Sequence, residues 1–293
     1  MNGISERDFP GLYRAADASS GIGQRSFLNG TRSRLGMLVL AASFGLFSWQ
    51  VDRADVAGVV AAAAFGAALV TEIYLLTVRP DRRWYEGRAA AESAKTLTWR
   101  YLVGGSPLGK AELTDRQAES LLLERFDEIV RDLTGIHLVP TPRDVDQVTP
   151  EMRRVRNLSL DQRREWYRTG RIHDQRDWYA QKALWNERRA TRWSMGLAVL
   201  ELAGLTGGIL KATGVVDLDL LGLTATLVGA GAAWVQTKQH QMLASAYAVA
   251  CHELASLATR IDHAVTEEQW GHFVDQAEDA ISREHTLWRA SRT

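Results

Sequence analysis

Long apolar segments alternate with long charged and aromatic segments along this chain. One pair of apolar segments lies within residues 35–78 and a second pair lies within residues 193–235. In each pair a short polar link separates two apolar runs of about 16 to 23 residues, close to the length that a bilayer core requires. The pattern predicts two transmembrane hairpins, and therefore a four-span membrane protein with an internal repeat.

Buried helices of a large soluble bundle are the alternative explanation for apolar runs of this length. Two features favour a membrane. The runs are apolar on every face rather than along one stripe. In addition, Trp49, Trp193 and Trp234 stand near their ends, where tryptophan is enriched in membrane proteins. The soluble alternative stays open because Glu72 and Glu201 interrupt the apolar runs.

The polar segments carry signals for helix starts. Thr114, Ser159 and Thr266 each precede a glutamine by three residues, which is the spacing of a capping box. No long run alternates with period two, so no sheet is predicted. The fold class is therefore all-α: a four-span transmembrane helical bundle with long cytoplasmic helical extensions. Three prolines fall within residues 135–150, where we expect a hinge.

These patterns predict six consecutive regions. They are a cytoplasmic N-terminal segment (1–34), the first hairpin (35–78), cytoplasmic helices with a proline-rich linker (79–148), a cytoplasmic aromatic helix (149–192), the second hairpin (193–235) and C-terminal cytoplasmic helices (236–293).

Charge predicts the orientation of the hairpins. Lys plus Arg and Asp plus Glu are equal at 35 each, so no overall charge favours nucleic-acid binding. Arginines cluster before residue 35, after residue 78 and before residue 193, whereas the hairpin tips carry only Arg53 and Lys211. By the positive-inside rule, both tips face outward and both termini face the cytoplasm. The single Cys251 fits a reducing compartment.

Two carboxylates lie inside the apolar runs. Counted from the neighbouring arginine clusters at 1.5 Å per residue, Glu72 and Glu201 lie roughly 10 to 14 Å inside the cytoplasmic boundary. Ionisable groups in a bilayer are costly and usually face a bundle interior, a partner or water. In a symmetric oligomer they would form acidic rings along a pore. A structural role, protonated or hydrogen-bonded, is the open alternative. Close helix packing is indicated by Gly204 and Gly208.

Catalytic and metal-binding motifs are not apparent. The stretch from Gly104 to Lys110 has the spacing of a phosphate-binding loop, but Ala111 replaces the hydroxyl residue that would bind magnesium. No histidine or cysteine cluster has the spacing of a metal site. We therefore expect a protein that is not an enzyme and that has no cofactor, no metal and no catalytic residue.

Two polar helices combine charge with aromatic residues. In the first, Arg88, Glu92, Lys95 and Trp99 are spaced four, three and four apart, which predicts a ladder on one face, with Trp84 one turn earlier. We interpret this ladder as a structural or gating element. The second, an aromatic helix, is marked by four residues: His173, Gln175, Trp178 and Tyr179. A packed or solvated face is favoured over a binding site in both.

A family resemblance rests on these segments. A two-span hairpin followed by Arg-x-x-Ala-Glu-Ser-x-Lys-x-x-x-Trp-Arg-Tyr, beginning at Arg88, resembles the SLATT superfamily. These are two-transmembrane domains associated with SMODS nucleotidyltransferases and SLOG sensors in bacterial conflict systems. The second half resembles a partner SLATT module through residues 171–175, Tyr179, the second hairpin and the terminal Glu278, Glu284 and Trp288.

The resemblance implies a membrane effector of bacterial antiviral defence, located in the inner membrane. Such an effector would assemble as a homo-oligomer and form a pore or ion channel, or otherwise perturb the lipid bilayer. The implied trigger is a separate sensor protein or a nucleotide second messenger, and no nucleic acid is implied as a partner. A non-conducting scaffold or signalling adaptor remains an alternative, as does a membrane enzyme that uses Arg88, Glu92 and Lys95.

Overall fold

The computed structural model of the chain describes residues 4–46, 48–51, 54–133, 138–140 and 145–290, without the side chains of residue 6 and residues 283–290. This part is almost entirely helical, which confirms the all-α prediction. Its α-helices are α1 (Gly11–Gly45), α2 (Val56–Val78), α3 (Pro80–Val103), α4 (Asp115–Asp132), α5 (Pro150–Arg156), α6 (Leu160–Tyr167), α7 (Asp174–Ala212), α8 (Leu220–Lys238), α9 (His240–Arg260) and α10 (Glu267–Ala290).

A short antiparallel ribbon occupies the tip of the first hairpin. Strand β1 (Gln50–Val51) pairs with β2 (Ala54–Asp55). Asp55 then caps α2, because its carboxylate accepts hydrogen bonds at 3.1 Å from the backbone N–H groups of Trp49 and Ala57. The ribbon was not predicted, since two residues per strand are too few for an alternating pattern.

Three helical stretches, not four, are long and apolar enough to cross a membrane among the described residues. The apolar part is α2 in the first stretch, the second half of α7 in the second and α8 in the third. The prediction of four spans is wrong because the first apolar segment is only the end of α1. From Leu35 this helix continues to Gly45, a rise of about 16 Å, whereas a bilayer core is about 30 Å thick. The preceding turns of α1 are polar and contain Arg32 and Arg34.

The helices fall into two compact units. The polar unit draws on Met1–Gly23, Arg82–Ala183 and Ser245–Thr293. The apolar unit draws on Gln24–Asp81 and Leu184–Ala244, and therefore contains both apolar hairpins.

An aromatic centre holds the polar unit together. Trp99, Tyr167 and Trp270 are at most 2% exposed. Tyr167 meets the ring of Trp99 edge-on at 6.0 Å and that of Trp270 at 5.7 Å, contacts typically worth about 0.5–1.5 kcal/mol beyond the area they bury. Close approach of α3 to α1 requires Gly87, because a Cβ there would lie 2.9 Å from the backbone nitrogen of Ser20.

All three predicted capping boxes form. The side chains of Thr114 and Ser159 each accept a hydrogen bond from the backbone N–H of the glutamine three residues on. Each glutamine Oε1 in turn accepts from the backbone N–H of that Thr or Ser. At α10, Gln269 N–H donates to Thr266 Oγ1 at 3.2 Å. Thr149 supplies a further cap, to α5, that the glutamine pattern could not reveal because its partner is Met152.

Glycines allow close packing within the hairpins of the apolar unit. A Cβ at Gly30 of α1 would lie 2.7 Å from Leu75 of α2. Gly204 of α7 packs closely against Thr224 of α8, and a Cβ on Gly208 would lie 3.4 Å from the Leu221 side chain. The predicted glycine pair thus serves contact within one chain.

Some predicted features lie outside the described residues. They are part of the hinge at 135–150, Arg53 at the first tip, and the side chains of Glu284 and Trp288.

Candidate functional site

Glu72 of α2 forms an ion pair with Arg34 of α1. Arg34 Nη1 donates to Glu72 Oε2, and the two side chains are 33% and 36% exposed. Arg34 Nε is buried without a hydrogen-bond partner among the described residues. The predicted intramembrane Glu72 therefore has a counter-ion in its own chain, and that counter-ion retains spare donors.

The same ion pair closes one end of a groove between α1 and α2. The groove has a volume of about 260 Å³. Its walls are Leu38, Phe65, Ala68 and Leu69. An apolar groove with a charged end suits an occupant that is itself apolar with one polar group.

Glu201 of α7 differs from Glu72. It is exposed, and it has no ion pair or hydrogen bond to a side chain within the described part of the chain. Its helix neighbours Leu202 and Leu205 are also exposed. A carboxylate thus stands alone on an apolar surface, where it needs a partner or water.

The ladder of α3 adopts the predicted spacing. Arg88 Nη2 lies 2.9 Å from Glu92 Oε1, and Glu92 is the less exposed of the two. Trp84 and Trp99 at its ends are buried in the polar unit. Burial, followed by the nearby Arg171 guanidinium, lowers the pKa of Lys95 below its ordinary value. The ladder is a half-buried helix face rather than an open cleft.

A buried cluster lies beside this ladder. Glu278 of α10 accepts from Arg171 Nε at 2.9 Å and from Arg171 Nη2 at 2.6 Å. It also accepts from Tyr167 Oη at 2.9 Å and from Thr96 Oγ1 at 3.0 Å. Arg171 and Glu278 are 1% and 0% exposed. The cluster ties α3, α6 and α10 together through one carboxylate.

The charges in this cluster stabilise each other. Burial by itself would lower the pKa of Arg171, but the charge and hydrogen bonds of Glu278 raise it above its ordinary value. Burial and the Glu278 charge raise the pKa of Tyr167 well above its ordinary value. Arg171 is therefore a cation and Tyr167 a neutral donor to Glu278.

The family resemblance included Arg171 and Glu278, but the sequence did not predict that they pair. They are separated by 107 residues, so no local periodicity connects them. The chain winds into a π-helical turn from Arg168 to His173, which brings Arg171 into the core. A buried arginine in a polar helix had no signal beyond the family pattern itself.

Only part of the predicted aromatic set comes together. Trp178 and Tyr179 contact the ring of Tyr247 at 5.3 and 5.6 Å. His173 lies in the π-helical turn, and Gln175 donates at 3.5 Å to the adjacent Asp174. The four residues therefore form no common site in the described contacts.

Side-chain hydrogen bonds to backbone carbonyls support the glycine turn from Gly104 to Lys110. Arg163 Nη1 donates to Val103 O at 2.5 Å, and Lys110 Nζ donates to Arg156 O at 3.0 Å. Lys110 thus supports the turn. No group of three or more metal-ligating side chains is found among the described residues.

Paired apolar helices with isolated charges, attached to a helical polar unit, define a helical membrane protein. A family model for the SMODS and SLOG-associating 2TM effector domain 3 matches residues 10–164, and a model for effector domain 1 matches residues 167–288. The chain belongs to the SLATT family and carries two such domains in tandem. SLATT domains are two-transmembrane effector domains associated with conflict systems. Neither a curated protein nor a solved structure matches the chain significantly.

Proposed function

We propose that this protein is a non-enzymatic effector of a bacterial conflict system, which assembles from several copies in the inner membrane and opens a conducting path. The observation that carries the proposal is Glu201, a carboxylate on an exposed apolar helix that has no side-chain partner among the residues described. In each of the three apolar windows at most 11% of the residues are buried within the chain.

Lipid alone satisfies the apolar residues but not the carboxylate. Placing an acidic residue at the centre of a bilayer helix costs about 2.5–3.5 kcal/mol on insertion scales. This cost falls when the side chain faces another subunit or a water-filled path. Because the described part of the chain offers Glu201 no counter-ion, an assembly of copies supplies what one copy lacks.

The two carboxylates then have different roles. Arg34 neutralises Glu72 in the same chain, so Glu72 contributes little field to a passage. Glu201 has no counter-ion among the described residues of its own chain and is the candidate for an acidic ring that favours cations and repels anions. The arginine-rich ends of the hairpins predict that the polar unit lies in the cytoplasm. There it would receive the signal of a separate sensor protein or a nucleotide messenger.

Ion selectivity tests the proposal. Overproduced protein should depolarise cells, and purified protein in planar bilayers should give single-channel currents. Glu201→Gln should shift the reversal potential toward that of anions at unchanged membrane abundance. Glu187→Gln is the matched control, since this exposed glutamate lies on α7 outside the apolar run. If the protein neither depolarises cells nor conducts, and its oligomer has no central passage, a non-conducting scaffold replaces the channel.

Orientation is tested separately by thiol labelling. The native Cys251 is first replaced by alanine. Single cysteines at the exposed positions Ala54 and Thr213 of the hairpin tips should then react with an impermeant thiol reagent in cells with a permeabilised outer membrane. A cysteine at the exposed Ser120 of α4 should react only after lysis. The opposite pattern would invert the topology.

A further inference from the structure

We propose that copies of this chain join head to tail: the face of α7 that carries Glu201 in one copy docks into the groove between α1 and α2 of the next. The Arg34 guanidinium would then bridge Glu72 of its own chain and Glu201 of its neighbour. This inference rests on the proposed function and specifies the assembly contact.

The groove offers what the Glu201 face needs. Its walls are apolar and its charged end is the Arg34–Glu72 pair. A guanidinium has five N–H donors; Arg34 uses one of them on Glu72, and a third of its side chain is exposed. A second carboxylate can therefore bind without breaking the first contact.

The Glu201 face offers the complementary surface. At 100° per residue, Glu201 and Leu205 share one side of α7, and Leu205 is 59% exposed. An apolar side chain beside an unpaired carboxylate matches an apolar groove beside a guanidinium. The three charges combine to one net negative charge per contact, where an isolated Glu201 would have no counter-ion at all.

The order of helices places these two surfaces apart on one copy. Arg34 links α1 to α2, Arg32 stacks 5.3 Å from the ring of Trp234 on α8, and Gly204 of α7 packs against α8. The contacts therefore run α2–α1–α8–α7. Large apolar side chains exposed in the described part of the unit are concentrated on the first and last of these helices, α2 and α7.

Two different surfaces in contact make a heterologous interface, which repeats until the rotation closes a ring. A self-complementary two-fold contact would stop at a dimer. Glu72 and Glu201 lie at matching depth, roughly 10 to 14 Å inside the boundary by their sequence distance from the arginine clusters, so docking needs no shift along the membrane normal.

Cross-linking between differently tagged copies tests the contact. In a Cys251→Ala background, one copy carries Phe65→Cys in the groove and the other carries Leu205→Cys. After co-expression and mild oxidation, we expect a disulfide-linked dimer that carries both tags. Glu201→Gln in the second copy should lower its yield about tenfold, the effect of losing one charge-assisted hydrogen bond. Glu187→Gln should leave the yield unchanged.

The matched control replaces Phe65→Cys by Val70→Cys. Val70 is 67% exposed on the opposite side of α2, so it should not cross-link to Leu205→Cys. Equal yields from both positions, or only same-tag dimers, would overturn the head-to-tail contact. The contact would also be overturned if light scattering shows an oligomer but no two-tag dimer forms. That result is expected if lipid, rather than a second copy, fills the groove. Those outcomes leave a conducting oligomer standing, whereas a monomer without current defeats the proposed function itself.

Discussion

Two arginine–glutamate pairs, one in each unit, show how differently the same chemistry is used in this protein. Arg171 and Glu278 in the polar unit are 1% and 0% exposed, whereas Arg34 and Glu72 in the apolar unit are 33% and 36% exposed. Within the described part of the chain, Glu278 accepts four hydrogen bonds from three side chains, whereas Glu72 accepts one.

The difference separates a fixed contact from an exchangeable one. A buried pair with all carboxylate positions occupied cannot release either partner without leaving a charge in the core. The Arg34–Glu72 pair is open to its surroundings and lies beside a groove, so it can acquire a further ligand. We therefore assign stability to the first pair, and the head-to-tail contact that we propose uses the second.

The largest expected effect comes from breaking the buried pair. Glu278→Ala leaves Arg171 as an uncompensated buried charge, so the free energy of unfolding should fall by about 3–5 kcal/mol. Asp279→Ala is the matched control, because Asp279 is 64% exposed and pairs with Arg100 at the surface. It should cost at most about 1 kcal/mol. Denaturant unfolding of the detergent-solubilised protein measures both.

A double variant sharpens this result. Arg171→Met together with Glu278→Gln removes both charges and retains an acceptor for Tyr167 and Thr96. It should recover much of the stability lost in Glu278→Ala, because neutral replacement of a buried pair is often close to neutral in free energy. Equal losses of stability in Glu278→Ala and Asp279→Ala would show that burial of the Arg171–Glu278 pair has no energetic consequence.

An intermediate effect is expected at the exposed pair. Arg34→Gln leaves Glu72 without its counter-ion, and the free energy of unfolding should fall by about 1–3 kcal/mol, between the values for surface and buried pairs. The proposed head-to-tail contact uses the same arginine, so the oligomer mass should fall as well. Arg125→Gln breaks the exposed surface pair with Glu128 and should change neither quantity. A loss as large as that of Glu278→Ala would mean that this pair is also a fixed core contact.

Sequence reasoning anticipated the features that short-range periodicity encodes. The all-α fold, the capping boxes at Thr114 and Ser159, and the spacing of the α3 ladder each depend on residues within one or two turns. The second hairpin was also apparent, since the end of α7 and most of α8 are long apolar runs, despite Glu201 in α7.

Features that depend on long-range packing were missed. The apolar run after Leu35 looked like a complete span because its polar N-terminal turns and its end at Gly45 were not visible as one helix. Glu72 and Glu201 looked equivalent by depth, yet among the described residues a counter-ion, Arg34 on another helix, is found for Glu72 and not for Glu201. The pairing of Arg171 with Glu278 across the fold left no local pattern.

A smaller, pH-dependent effect is expected at Lys95. Its pKa is lowered in the folded protein from an ordinary 10.5, so the unfolded chain binds the proton more tightly. Stability should therefore rise as pH increases through the interval between the folded pKa and 10.5. Lys95→Met should raise the unfolding midpoint at neutral pH, and its advantage should shrink toward alkaline pH. Lys182→Met, at an exposed position of α7, should give no such gain.

The smallest effect is expected in the ladder of α3. Glu92→Ala removes an i,i+4 pair with Arg88, which typically contributes about 0.3–0.5 kcal/mol. Glu92 is only 14% exposed and also interacts with Lys95 and Arg171, so Glu92→Ala should lower the free energy of unfolding by more than Glu86→Ala does. Glu86→Ala breaks the matching pair with Arg82 on the same helix. The isosteric Glu92→Gln separates structure from chemistry. If it folds and assembles normally but loses a measurable turnover, the ladder is catalytic and the enzyme alternative is correct. If turnover is absent in both proteins and stability alone changes, the ladder is a packed helix face, as its buried neighbours indicate.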